Sequence, residues 1–233
     1  MNKETDIHVF ISFFRFGENR FWAFKQMLLG PRIFSEIPGL QFYKFLGTGG
    51  AKGFSLWPDF GTYAILTVWK SPTAFIEFQK KNPYWQEYRS HAKQQRTLGL
   101  IPIHSHGLWS GMNPFAEHQI KDFSVGDAQV AVLTRATLHW KRLISFWRSV
   151  PLASKTIEKA KGVHFYKGVG EWPLVQQATV SIWDSFQAVH DFAYKQQGHA
   201  AIVRKTRKQK WYQEDLFSRF VVHTDTQFQD IKK

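Results

Sequence analysis

The chain has 233 residues, 43% hydrophobic and 17% aromatic, enough to bury a substantial core and unlike a disordered chain. Cysteine is absent, which excludes disulfides, thiolate nucleophiles, cysteine-held zinc or iron–sulfur centres and a thiolate-ligated haem. The formal net charge of +13 points to an anionic partner: nucleic acid, a phospholipid surface or a carboxylate-bearing cofactor.

Taken in order, His8 to Phe14 reads as a strand buried on nearly both faces, and Phe21 to Leu29 as a short amphipathic helix stopped by Gly30-Pro31. A second helical turn, Ile33 to Glu36, precedes strands at Phe42 to Leu46 and Tyr63 to Trp69, with a glycine-rich loop, Gly47 to Gly53, between them. Ser71 is placed to cap a helix from Pro72 to Gln79; Tyr84 to Gln95 reads as a further helix and Pro102 to Trp109 as a closing strand. After a connector at about 111–127 the order returns: strand Ala128 to Thr137, helix Lys141 to Arg148, strands Val163 to Val169 and Val175 to Ile182. A helix capped by Ser185, a helix over Ala200 to Gln209 and a strand Leu216 to His223 complete it. No apolar run reaches the roughly 18–20 residues of a membrane span, and the first residues carry no signal-type segment, so a cytoplasmic location is expected.

The second half repeats the first. Gly39-Leu-Gln-Phe-Tyr-Lys44 returns as Gly162-Val-His-Phe-Tyr-Lys167, the segment ending at Trp69-Lys-Ser71 as that ending at Trp183-Asp-Ser185, and Ser90-His91-Ala92 as Gly198-His199-Ala200. Each half has the β-α-β-β-α-β order of a ferredoxin-like unit. The expected fold is therefore α+β: two ferredoxin-like repeats, residues 7–112 and 128–226, forming a pseudo-dimeric α+β barrel in one chain, with no oligomer required to build it.

His199, flanked by small residues, is the leading metal-ligand candidate, because neutral imidazole is the commonest haem ligand once cysteine is excluded. His91 is its counterpart in the first repeat; His164 and His190 read as surface polar residues. His104 and His106 fall on one face of a strand, with no third ligand nearby. Arg135 interrupts a strand that otherwise reads as buried, so it should meet a carboxylate such as Glu171, a haem propionate, or an oxygen to which it donates a hydrogen bond. The Gly47–Gly53 loop lacks the Lys-Ser/Thr of a phosphate-binding loop. Trp22, Phe24, Phe42, Phe45, Phe54, Trp57, Phe60, Trp109 and Trp172 read mostly as core, around an apolar site fit for a hydrophobic ligand.

Phe21-Trp-Ala-Phe-Lys-Gln-Met27, Gly47-Thr-Gly-Gly50, Leu133-Thr-Arg-Ala-Thr137, Gly168-Val-Gly-Glu-Trp-Pro-Leu174 and Gly198-His-Ala200 resemble, in order and over residues 8–223, the spheroidene monooxygenase family of carotenoid biosynthesis. The resemblance implies a haem b enzyme that inserts oxygen into an acyclic carotenoid or another apolar substrate to give a keto group. It implies His199 as the iron ligand, with Arg135 and Trp22 as pocket residues. On this reading basic residues, including Arg204 in the run Arg204 to Lys210, hold the propionates. A ferredoxin-type donor supplies electrons, since no flavin or nicotinamide motif is present. The basic run also suits peripheral contact with an anionic membrane. Two other readings stand beside it: a haem-dependent dehydratase acting on a nitrogen-containing substrate, and a basic RNA-binding ferredoxin-like protein. The second lacks that module's aromatic strand signature.

Overall fold

A computed structural model describes residues 7–50, 55, 57–120, 128–150, 156–195 and 211–231, residues 194 and 195 by their backbone alone. The strands are β1 (Val9–Arg15), β2 (Leu40–Gly49), β3 (Pro58–Trp69), β4 (Gln94–Gly107), β5 (Val130–Leu138), β6 (Val163–Gly170), β7 (Gln176–Trp183), β8 (Tyr212–Asp225) and β9 (Gln229–Asp230). The helices are α1 (Arg20–Phe34), α2 (Pro72–Lys81), α3 (Pro83–His91), α4 (Leu143–Trp147) and α5 (Phe186–Lys195).

The chain divides into two compact units. The first holds residues up to Thr48, Asp59–Ile101 and Val222–Lys233; the second holds Gly49–Pro58 and Pro102–Val221. In the first, β1 lies between β3 and β4, with Ile11 opposite Leu66 and Leu98, and β2 adjoins β3. The order β4-β1-β3-β2, antiparallel with helices after β1 and β3, is the ferredoxin-like arrangement. The second unit repeats it as β8-β5-β7-β6: Leu133 of β5 faces Val180 of β7 and Ser218 of β8. The α+β class and the two ferredoxin-like repeats are those the sequence predicts.

Each repeat covers its sheet differently. In the first, the helix layer is aromatic: Phe10 stacks on Phe75 at 3.7 Å, and Phe14 meets Trp85 and Tyr88 edge-on at 5.3 and 4.9 Å. In the second, Val130 and Val132 of β5 pack with Ile157, Trp183 and Val189 of α5. Ser71 accepts the Ala74 N–H at 3.3 Å and Ser185 the Ala188 N–H at 3.3 Å, so both predicted caps form at equivalent points of the two repeats.

Three expectations are corrected. Helix α1 does not stop at Gly30-Pro31 but runs on to Phe34. Pro31 removes one helical N–H, a change that costs about 3 kcal/mol in a helix interior. The last turn is nevertheless held by Phe34, which is buried and packs edge-on against Phe45 and Phe78 at 4.9 and 5.5 Å. Gly30 is what lets the Phe45 ring come that close, since a Cβ there would run into it. Helix α3 ends at His91 rather than Gln95, because Gln94 and Gln95 already pair with Arg15 and Phe14 of β1. The closing strand therefore starts at Gln94, well before Pro102. The predicted helix over Ala200 to Gln209 lies outside the described residues. No helix among the described residues is long and apolar enough to cross a membrane.

Candidate functional site

Strand β5 carries the most unusual side chain. Its alternation sends Val130 and Val132 to the helix-covered face and places Ala131, Leu133 and Arg135 on the other. Arg135 is 4% exposed. A buried guanidinium needs counter-charge, and two carboxylates supply it: Nη1 donates to Glu214 of β8, and Nη2 lies 3.9 Å from Glu171. Glu171 is the partner anticipated from the sequence. It also accepts the indole N–H of fully buried Trp109 at 2.7 Å, and the Arg135 guanidinium stands 5.7 Å from that ring's centroid.

Glu214 is the residue that sequence reasoning missed. Its carboxylate accepts the Ser110 N–H at 3.1 Å and the Gly111 N–H at 2.8 Å, two successive amides turned inward by left-handed backbone (φ +57° and +81°). Successive amides in such a turn form an anion-binding concavity. Burial alone would raise the Glu214 pKa, but the two amides and Arg135 outweigh it and hold the carboxyl below its ordinary value. Two carboxylates thus account for the guanidinium charge, and the buried Arg135 Nε–H is left with no acceptor among the described residues.

Trp22 lies on α1, in the other unit. Its ring lies flat on His91 at 3.9 Å and 1° and borders Tyr88 at 5.6 Å. His91 Nδ1 is 2.9 Å from the Glu87 carbonyl, which can only accept, so Nδ1 is the donating nitrogen. Tyr63 and Tyr88 are two buried phenols whose hydroxyls find no partner among the described residues; burial pushes the Tyr63 pKa up to about 12 and holds that of Tyr88 well above the ordinary phenol value.

His104, His106, His164 and His190 are exposed. His164 pairs with Asp184, and His190 lies 3.7 Å from Asp191. His104 and His106 meet at 3.3 Å on one face of β4, and burial, with Arg219 and His106 nearby, lowers the His104 pKa. No group of three His, Asp or Glu side chains converges among the described residues. His199 and Arg204 lie outside those residues. The aromatic expectation divides: Phe42, Phe45 and Trp109 are buried, whereas Phe24, Trp57, Phe60 and Trp172 are exposed, contrary to the core reading.

No protein-family model matches the chain. Curated relatives do. The chain is 32% identical over 212 residues to a spheroidene monooxygenase of Rhodobacter capsulatus, covering 90% of this chain and 88% of that protein. It is 33% identical over 218 residues to a spheroidene monooxygenase of Cereibacter sphaeroides, covering 92% of this chain and 66% of that protein. Among solved structures, an aldoxime dehydratase superposes with a TM-score of 0.54 over 95% of this chain and 83% of its own, at 12% identity. At that identity the likeness concerns the fold alone.

Proposed function

The chain belongs to the spheroidene monooxygenase family, and from that premise we propose that it is a haem-dependent monooxygenase placing a keto group on an acyclic carotenoid or a similar apolar substrate. The observation that carries the proposal is identity near one third over nine tenths of the chain, in step with both repeats.

The donor chemistry is compatible with haem. A non-haem iron centre built from three His or carboxylate ligands has no counterpart among the described residues, whereas haem asks for a single imidazole in a chain without cysteine. His199 would hold the iron, and Arg204 in the basic run would face a propionate. A bound haem b would supply the activation of dioxygen. Each insertion consumes one O2, two electrons and two protons and releases one water, so a one-electron donor of the ferredoxin type is the expected partner.

What the protein itself contributes is polarity and orientation. Arg135 is a poor propionate partner, because Glu214 and Glu171 already neutralise it. Its role is that of a hydrogen-bond donor: the carboxylates fix the guanidinium, and the buried Nε–H remains to bond a polar group beside an otherwise apolar face. Trp22, stacked on His91, supplies a flat apolar wall against which a polyene can lie.

The test is reconstitution with hemin. The wild-type chain is expected to develop a Soret band that His199→Ala loses and His91→Ala retains. An unchanged band in His199→Ala refutes the ligand assignment. Turnover with reduced ferredoxin under 18O2 should label a ketone product; an unlabelled product, or turnover without oxygen consumption, refutes the monooxygenase chemistry.

A further inference from the structure

Helix α1 has two apolar faces, and only one of them is used by the fold. Ala23, Gln26, Gly30 and Phe34 are buried. On the opposite side Phe21 is 71% exposed, Phe24 52%, Leu28 71%, Leu29 44% and Ile33 40%. Phe21, Phe24 and Leu28 follow the i, i+3, i+7 spacing of a single stripe. A helix on the surface of a water-soluble domain carries polar residues there. Phe60 of β3, also more than half exposed, meets Phe24 edge-on at 6.1 Å and widens the stripe.

The charged residues of α1 are all of one sign. Arg20, Lys25 and Arg32 are exposed on the same helix, and no Asp or Glu occurs between Arg20 and Phe34. The Lys25 ammonium sits 4.8 Å from the Phe21 ring centroid.

The second repeat carries the same device at the equivalent place. Between Trp140 and Arg148, Trp140 is 72% and Ile144 70% exposed; Lys141, Arg142 and Arg148 are basic, and no carboxylate is present. The Lys141 ammonium lies 5.3 Å from the Trp140 ring centroid. Two copies of an exposed aromatic with a lysine over it, each on the first helical segment of its repeat, are not explained by core packing.

The combination selects an occupant. A second copy of this chain would bring three like charges against three more. An anionic phospholipid surface satisfies both components at once: aromatic and aliphatic side chains enter the headgroup–acyl boundary, while lysine and arginine meet phosphates. We propose that the exposed face of α1 with Phe60 docks onto an anionic lipid bilayer; the Trp140–Arg148 segment gives the second unit a like surface of its own. The purpose of such docking, collecting a membrane-dissolved substrate, rests on the function proposed above. The binding does not, and its assay needs neither haem nor carotenoid.

The experiment is co-sedimentation of the full chain with vesicles of phosphatidylcholine alone and of phosphatidylcholine with phosphatidylglycerol. Binding is expected to the phosphatidylglycerol vesicles and to weaken with salt. Phe21→Ser with Leu28→Ser should lower partitioning at least about tenfold. Lys25→Glu with Arg32→Glu should abolish the preference for anionic vesicles. All four substitutions are at exposed positions, so an unchanged melting temperature verifies folding. The proposal is overturned if the wild type ignores the vesicles or if the serine variant binds as the wild type does. A serine variant that loses a dimer on sizing while keeping its vesicle binding overturns it in favour of self-association.

Discussion

Replacing Arg135 by Met removes the charge at the centre of the Glu214–Glu171–Trp109 cluster while keeping the length of the side chain. Arg135 is almost wholly buried, and breaking a fully buried pair costs roughly 3–5 kcal/mol. The carboxylates left behind are about one fifth exposed. Glu214 keeps two amide donors and Glu171 keeps the Trp109 indole, so water and these donors recover part of the loss. The expected cost is about 3 kcal/mol at neutral pH, or roughly 6–12 °C in melting temperature for a chain of this size.

The pH dependence has a definite sign. The Glu214 pKa is depressed in the folded protein, so its contribution is fully present above about 4.5 and is lost as pH falls through the lower folded value. The gap between wild type and Arg135→Met should therefore be widest at neutral pH and narrow in acid. Urea melts at neutral pH and near pH 4, with Glu214→Gln and the double variant closing a cycle, measure the pairwise part directly. A loss under about 0.5 kcal/mol at neutral pH, or a gap that widens in acid, refutes the assignment of this cluster as a buried ion pair.

The Tyr88 hydroxyl is buried without a partner among the described residues, so Tyr88→Phe should be neutral or stabilising by up to about 1 kcal/mol in urea melts. A clear loss would reveal an acceptor. Burial raises the pKa of Tyr63, Tyr84, Tyr88 and Tyr166, most strongly for the first three. Their neutral forms favour the fold, so stability should be intact below about pH 10 and decline as pH rises toward 12. Absorbance titration should show these three ionising only with unfolding, and free titration near pH 10 would contradict their burial. Asp225 accepts two bonds from buried Arg96, at 2.9 and 2.6 Å; Asp225→Asn should cost about 2–4 kcal/mol by denaturant melting, and a neutral outcome would show that water replaces the pair.

Local chemistry was readable from the sequence wherever the cause was local. Ser71 and Ser185 cap because a hydroxyl three residues before an amide satisfies it whatever lies beyond. The need of Arg135 for a carboxylate followed from one charge in an apolar strand, and Glu171, in the connection between β6 and β7, is one of the two that supply it. Glu214 was not readable: it reaches Arg135 across 79 positions, through the register of β5 with β8. The passage of α1 through Pro31 was equally hidden, since what offsets the missing hydrogen bond is the packing of Phe34 on Phe45 and Phe78. Composition counted the aromatic residues correctly but not which way they face. That is why Phe24, Phe60 and Trp172 read as core and stand at the surface.

The first unit closes with the last residues of the chain. Thr97 donates its backbone N–H to Thr226, Gln94 and Gln95 pair with β9, and the Arg96 guanidinium donates to both carboxylate oxygens of Asp225. During synthesis, then, β1 to β4 emerge early, but Asp225 and β9 join them only after the ribosome has made almost everything else. The boundary of the duplication and the boundary of the folding unit are different places. A ribosome that stalls after the second repeat's helices would release a first repeat complete in sequence but without the Asp225 carboxylate and the β9 edge that pair with β4.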